Sequence, residues 1–380
     1  MFTEAIHFRE AAMLDLQGSR PTPGLTGLRN IGNTCFLNSI VQCLSNTELL
    51  KNYVVSGQYL KHIQSESRGD VIRAFSNLLR DIWSGEMTVA DTTNFKSQIQ
   101  RFAPRFMGYS QQDAQEFLRY LLEGLHQDVN QVTVKQRRPL PELSDELPDA
   151  QKALESWKQY LMLENSYVVE LFVGQLKSTL SFATCGHRST TFEAFWDLSL
   201  PLVQTTSSHE LKLSDCFDHF MQDETLDGDN MATCTRCNAR RPCTKRYSIH
   251  KFPRVLVVHL KRFSPNERFR KLMTAVNFPM DGLDLSPYSD NTHGTGDQMM
   301  VYDLYAVSNH SGGTQSGHYT AACRHPVTQA WHFFNDCNVS IVNPANRVVT
   351  PQAYVLFYEQ RSTRCQSNRD SYDLPTEDKS

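Results

Sequence analysis

The apolar positions of this chain change their period roughly midway along its 380 residues. In the first half they recur every three to four residues, the spacing of one helix face. Phe36, Ile40 and Leu44 predict a helix that starts near Cys35, with Gly32 and Asn33 as the preceding turn and Thr34 as N-cap. Val71, Phe75, Leu78 and Leu79 predict a second helix ending near Trp83, and a third is expected over 92–102. Ser110, with Asp113 three residues later, reads as a capping box opening a helix whose stripe is Phe117, Leu118, Leu121, Leu122 and Leu125. Positions 132–149 are polar, hold three prolines and turn from basic (Lys135, Arg137, Arg138) to acidic (Glu142, Asp145, Glu146, Asp149), an exposed connection. One more helix is expected over 150–163.

After that the period becomes two. Strands are predicted over 167–180 and 190–200, and the unbroken run Val255, Leu256, Val257, Val258 predicts a central strand covered on both faces. Tyr302, Leu304, Ala306 and Ser308 alternate as another strand, and a glycine-rich loop after His310 feeds His318 at the head of the next. Two more are expected over 331–334 and 354–358. The fold class that follows is α+β, with a helical first part and a β-rich second part.

Composition narrows this little but excludes much. At 40% hydrophobic and 21% charged, the chain suits a globular protein with a large core or two to three subdomains. Formal net charge is -3 and no long basic run occurs, so neither nucleic acid nor an anionic membrane is expected as partner, and a monomer is expected. Glu4, His7, Arg9 and Glu10 interrupt the N-terminal apolar residues, and no 18-residue apolar run follows. The expected location is the cytoplasm, with the nucleus as a second compartment. Residues 1–25, closing on a Pro- and Gly-rich cluster, read as a leader, and 361–380 as a polar tail. Ten scattered cysteines do not make a secreted disulfide scaffold, which leaves metal binding or catalysis to account for them.

Cys35 is the first to weigh. In a first helical turn, the free N–H groups and the positive dipole end favour thiolate, the nucleophilic form. The plainer reading is a small buried hydrophobe. A nucleophile needs a base and an orienting group, which His318 and Asn335 or Asp336 can supply from neighbouring strands. Equally, a lone histidine is often structural and an Asn-Asp pair is often a turn. Cys234-Thr235-Arg236-Cys237 is half of a zinc site, to which Cys185 can add a third thiolate and His187 or Cys243 a fourth ligand; a redox pair is the rival. Asp113 and Glu116 either complement the helix dipole or grip basic groups of a ligand.

Taken together, segments 27–44, 108–117, 259–263 and 302–324 resemble the signature boxes of the ubiquitin-specific proteases, papain-like cysteine peptidases that remove ubiquitin. The likeness runs over about 26–359, in the family's order. It implies an α+β fold with a helical thumb (26–165), a β-rich palm (166–360) and β-ribbon fingers (179–249) inserted in the palm. It implies Cys35 as nucleophile, His318 as general base, Asn335 as orienting residue with Asp336 as helper, and Asn30 in the oxyanion hole. Asp113, Glu116, Gln112 and Tyr319 fall in its substrate-binding boxes, with ubiquitin and ubiquitinated proteins as partners. Structural zinc is its expected cofactor, held by Cys185, Cys234 and Cys237, but Phe182 stands where the first finger cysteine belongs.

Three rivals remain. A catalytically weak ubiquitin binder of the same fold would lose a triad member. A metal-ribbon nucleic-acid binder would exploit Arg236, Arg240, Arg241, Lys245 and Arg246. A lysosomal papain-type endopeptidase would need a signal peptide and disulfides.

Overall fold

In this computed structural model, the structure describes residues 21–64, 68–132, 143–203, 210–263, 271–290, 300–313 and 316–361. Most of the expected leader, the tail beyond 361 and most of the connection at 132–149 lie outside the described residues.

A helical layer comes first: α1 (Cys35–Ser45), α2 (Glu48–Val55), α3 (Asp70–Trp83), α4 (Thr93–Phe102), α5 (Ala114–Asp128), α6 (Asp149–Leu161) and α7 (Tyr167–Phe172), with α8 (Leu213–Met221) later in the chain. Every residue of α1 is buried, polar ones included, because it is enclosed between α2, α5 and the strands of the second half of the chain. The more amphipathic α3 turns Val71, Ile72, Phe75, Leu78, Leu79 and Ile82 inward.

The strands form two main sheets. A four-stranded ribbon has the order β2 (His187–Phe195), β1 (Gly174–Phe182), β7 (Cys243–Lys251) and β4 (Glu224–Leu226), with a small hairpin of β5 (Ala232–Cys234) and β6 (Ala239–Arg241) at its tip. The larger sheet runs β12 (Asn338–Ile341), β11 (Trp331–Asn335), β10 (Gly317–Arg324), β9 (Val301–Gly312), β13 (Ala353–Gln360), β8 (Val255–Lys261) and β3 (Leu198–Pro201), with Leu283–Asp284 pairing on β9. Strand β8 has both faces covered, as its apolar run predicts. Val255 and Val257 pack toward the helices, while Leu256, Val258 and Leu260 join a second core on the far side.

Several expectations are corrected. The first six residues of the strand expected over 167–180 are helix α7, because Ser166 caps it by accepting from Val169 N at 3.2 Å and both apolar flanks are buried. A short, wholly apolar run carries no period that separates helix from strand. The strand expected over 190–200 is two, β2 and β3, with a break at Trp196 and Asp197. Helices α2 and α8 had no predicted counterpart.

Candidate active site

Buried polar contacts set α1 against the large sheet. Ser39 and Ser308 hydroxyls lie 2.5 Å apart, and Thr47 Oγ1 meets the Tyr305 hydroxyl at 2.7 Å. This docking puts the N-terminus of α1, with Cys35, beside the start of β10, with His318 and Tyr319.

Cys35 is 1% exposed. Burial pushes its thiol above the ordinary range; hydrogen bonds from the backbone of Tyr319 and Phe36 act the other way, and the Asp336 carboxylate adds to the rise. The thiolate expected from the helix N-terminus is therefore not the resting state. A helix end is worth about 0.3–1 kcal/mol, whereas burial shifts ionisation by as much as several pKa units. Thr34 stands at the N-cap position but makes no capping bond; its Oγ1 instead accepts from Ile31 N at 3.1 Å.

His318 Nε2 meets Asn335 Oδ1 at 2.7 Å. An amide oxygen only accepts, so Nε2 carries the proton and Nδ1 is left as the basic nitrogen. Asn335 ends β11, and Asp336 turns the chain at φ 48°, a left-handed position that Asp tolerates. Asp336 is a brace more than a partner of the ring. Its Oδ2 is 4.0 Å from His318 Nε2, yet accepts from Asn30 Nδ2 at 2.9 Å, while Oδ1 accepts from Asn38 Nδ2 at 2.7 Å. Asn30 is held from its other end as well, accepting from Gly32 N and Thr34 N at 3.2 and 3.1 Å.

The acidic helix start differs from expectation. Asp113, not Ser110, caps α5, accepting from Gln115 N at 2.8 Å and Glu116 N at 3.2 Å, and its other oxygen accepts from the Tyr354 hydroxyl at 2.5 Å. Glu116 pairs with Arg105. Gln112 is half-buried beside them. Tyr319 is a wall, its ring buried 4.5 Å from that of His310 and its hydroxyl accepting from Ala114 N at 3.4 Å.

Gln111 was not singled out by its sequence. Its Nε2 donates to Gly317 O at 2.5 Å and its Oε1 accepts from Gly317 N at 2.9 Å, a reciprocal bridge from the α5 loop to the residue before His318. Gly317 admits no side chain, since a Cβ there would overlap His310. Only the spacing of Gln111 from Asp113 in the same box could have drawn attention to it. Close by, Asn33 Nδ2 donates to Tyr109 O at 2.7 Å, so the 109–111 segment is tied both to the turn before Cys35 and to the residue before His318.

At the ribbon tip, the sulfurs of Cys185, Cys234 and Cys237 lie within 4.8 Å of one another, and these three could hold a metal ion. Neither suggested fourth ligand joins them. Cys243 packs with Phe182 and Cys234 but lies outside the group of three, and His187 Nε2 is engaged by Thr235 Oγ1 at 2.9 Å. The residues present thus supply three donors for zinc and not a closed tetrahedral set.

A thiol on the helical layer beside a strand that carries an imidazole–amide pair is the papain-like cysteine-peptidase arrangement, and comparison with known proteins narrows it. The profile described as ubiquitin carboxyl-terminal hydrolase matches residues 26–358, and the chain belongs to that family. It is 49% identical over 353 residues to ubiquitin carboxyl-terminal hydrolase 2 of Rattus norvegicus, covering 92% of this chain and 56% of that protein. The Gallus gallus protein of the same name is 49% identical over 350 residues, covering 91% and 96%. A chain in the SAGA Ubp8/Sgf11/Sus1/Sgf73 DUB module bound to ubiquitin aldehyde superposes with a TM-score of 0.69 at 27% identity, covering 91% of this chain and 72% of that one. The chain spans little more than half the length of the rat relative. No helix among the described residues is long and apolar enough to cross a membrane.

Proposed function

We propose that this protein is a cysteine-type deubiquitinase that cleaves the isopeptide or peptide bond after the C-terminal glycine of ubiquitin. The observation that carries the reading is the His318–Asn335 pair, which leaves a basic Nδ1 on the strand beside the Cys35 helix end. In this mechanism Nδ1 takes the Cys35 proton as Sγ attacks the glycine carbonyl, since a buried neutral thiol needs a base at that moment. Asn30, braced by Asp336, offers its second amide N–H to the developing oxyanion. The imidazolium then protonates the leaving amine, and water hydrolyses the thioester with His318 again as base.

Residues 26–165 serve as thumb, 166–360 as palm and 179–249 as fingers, ubiquitin resting on the fingers with its tail threaded between thumb and palm. Asp113, Gln112, Glu116 and Tyr319 line that passage, and the zinc expected in the fingers would rest on the three clustered thiols alone. The protein acts as a monomer on ubiquitinated proteins in the cytoplasm and nucleus, without nucleic acid or membrane partners; nine unpaired described cysteines favour such reducing compartments.

The test is incubation with ubiquitin bearing a C-terminal electrophile, followed by mass mapping of the adduct. One ubiquitin on Cys35 is expected. Labelling elsewhere, or none in a folded protein, would overturn the assignment.

A further inference from the structure

The three thiols at the ribbon tip take no part in the peptidase chemistry. Cys185 Sγ lies 3.7 Å from Cys234 Sγ, and Cys237 completes a trio within 4.8 Å. Sulfurs sharing one ion at about 2.3 Å stand roughly 3.8–4.0 Å apart whether three or four of them bind. Spacing alone therefore admits both geometries, and the surroundings discriminate.

Among the described residues, no further Cys, His, Asp or Glu joins the three. The inner side is filled by Phe182, 2% exposed and packed on Cys234 and Cys243. The outer side holds its polar groups in bonds of their own. His187 stacks on Phe182 with ring centroids 6.1 Å apart and meets Thr235 Oγ1. Asp145 accepts from Thr235 Oγ1 at 2.7 Å and from Ser189 Oγ at 2.8 Å, and pairs with Lys152 at 3.4 Å. This clasp and the aromatic stack brace the tip around the three sulfurs.

We propose that Cys185, Cys234 and Cys237 form a three-coordinate site for a soft, thiophilic monovalent ion, cuprous copper, and that zinc is the disfavoured ion. Thiolates select soft ions, and cuprous copper is satisfied by three of them. Zinc in a structural site takes four protein donors, and here the described residues supply three, with the Phe182 ring packed on the buried side of the cluster.

The experiment uses the full chain, reduced and stripped of metal under nitrogen. It is titrated with Cu(I) against a chromophoric cuprous chelator and, separately, with Zn(II) against a zinc chelator. A Cys185→Ala/Cys237→Ala double variant gives the background of the remaining thiols. The expected result is one Cu(I) per chain above that background and no zinc above it. Phe182→Cys, which supplies a fourth thiolate, should raise zinc affinity by roughly a hundredfold or more, about one ligand's share of a four-ligand site. The proposal fails if the native chain holds zinc as tightly as Phe182→Cys does. It fails equally if copper uptake does not exceed that of the double variant. Should Phe182→Cys not fold, the native copper and zinc titrations against the double variant decide the matter alone.

Discussion

The protonation state of Cys35 determines how a catalytic cycle can begin. With the thiol pushed up by burial, His318 has to remove the proton as attack occurs. Cys35→Ala should therefore abolish ubiquitin release while leaving ubiquitin binding within about twofold by calorimetry, the thiol adding little to a large contact. In His318→Ala, alkylation of Cys35 by a small reagent should climb with pH only above the ordinary thiol range, with no plateau near neutrality; a neutral plateau would mean that the helix end alone makes the thiolate. Asn335 and Asp336 share a place in the sequence but not a task. Asn335→Ala frees the imidazole to turn and should lower kcat by roughly tenfold. Asp336→Ala also releases Asn30 and Asn38. Its expected cost in kcat is larger, on the order of 10² to 10³, the usual effect of losing an oxyanion donor. Steady-state kinetics on a ubiquitin amide decides the order of the two.

At the scale of elements, the helical stripes and the two-faced strand β8 were legible because each residue repeats what its neighbours indicate. The ends of elements were not. The capping box put the start of α5 at Ser110, whereas Asp113 is the cap, held in place by the buried Tyr354 hydroxyl 241 residues away. Likewise 167–172 became helix through a cap and tertiary burial, which local pattern does not contain. Candidate site residues were legible one at a time, but the bridges joining them, Asp336 to Asn30 and Gln111 to Gly317, exist only in the folded chain. Two expectations belong here. Gln111→Ala cuts the tie between the α5 loop and the strand of His318 and should lower kcat/KM by roughly tenfold, with Gln111→Glu failing to rescue because it loses the donor to Gly317 O. Asp113→Ala should weaken the α5 cap by about 1 kcal/mol, read from denaturant melts. If Asp113 and Glu116 also grip the arginine before the terminal glycines of ubiquitin, Asp113→Asn/Glu116→Gln and a tail Arg→Ala will couple by about 1 kcal/mol or more. Additive losses would leave Asp113 as a cap and Glu116 as the partner of Arg105.

Across the whole molecule, buried histidines should make stability fall in mild acid. His310 is 4% exposed, and burial first, then the Lys271 cation, lower its pKa to about 4, against the pull of Asp113. Burial also lowers His325 and His332. In the unfolded chain all three titrate near 6.5, so below that pH the unfolded state binds protons that the folded state refuses, in the case of His310 down to about 4. Their stabilisation is complete above pH 6.5 and is lost as pH falls through the folded value. For His310 alone the loss is on the order of 2 kcal/mol by pH 5, before most carboxylates contribute. Urea melts at pH 7.5, 6.5, 5.5 and 5.0 should show this decline, and His310→Gln should flatten it even if that variant starts less stable. Lys271 provides the second check. Its ammonium donates to His310 O and is among the groups that raise the cost of an imidazolium there. Lys271→Met should therefore lift the His310 titration toward the ordinary range and lessen the loss between pH 6.5 and 5.0. An unchanged slope in both variants would assign the acid sensitivity to groups other than the one enclosed between Tyr319 and Tyr354 beside the site.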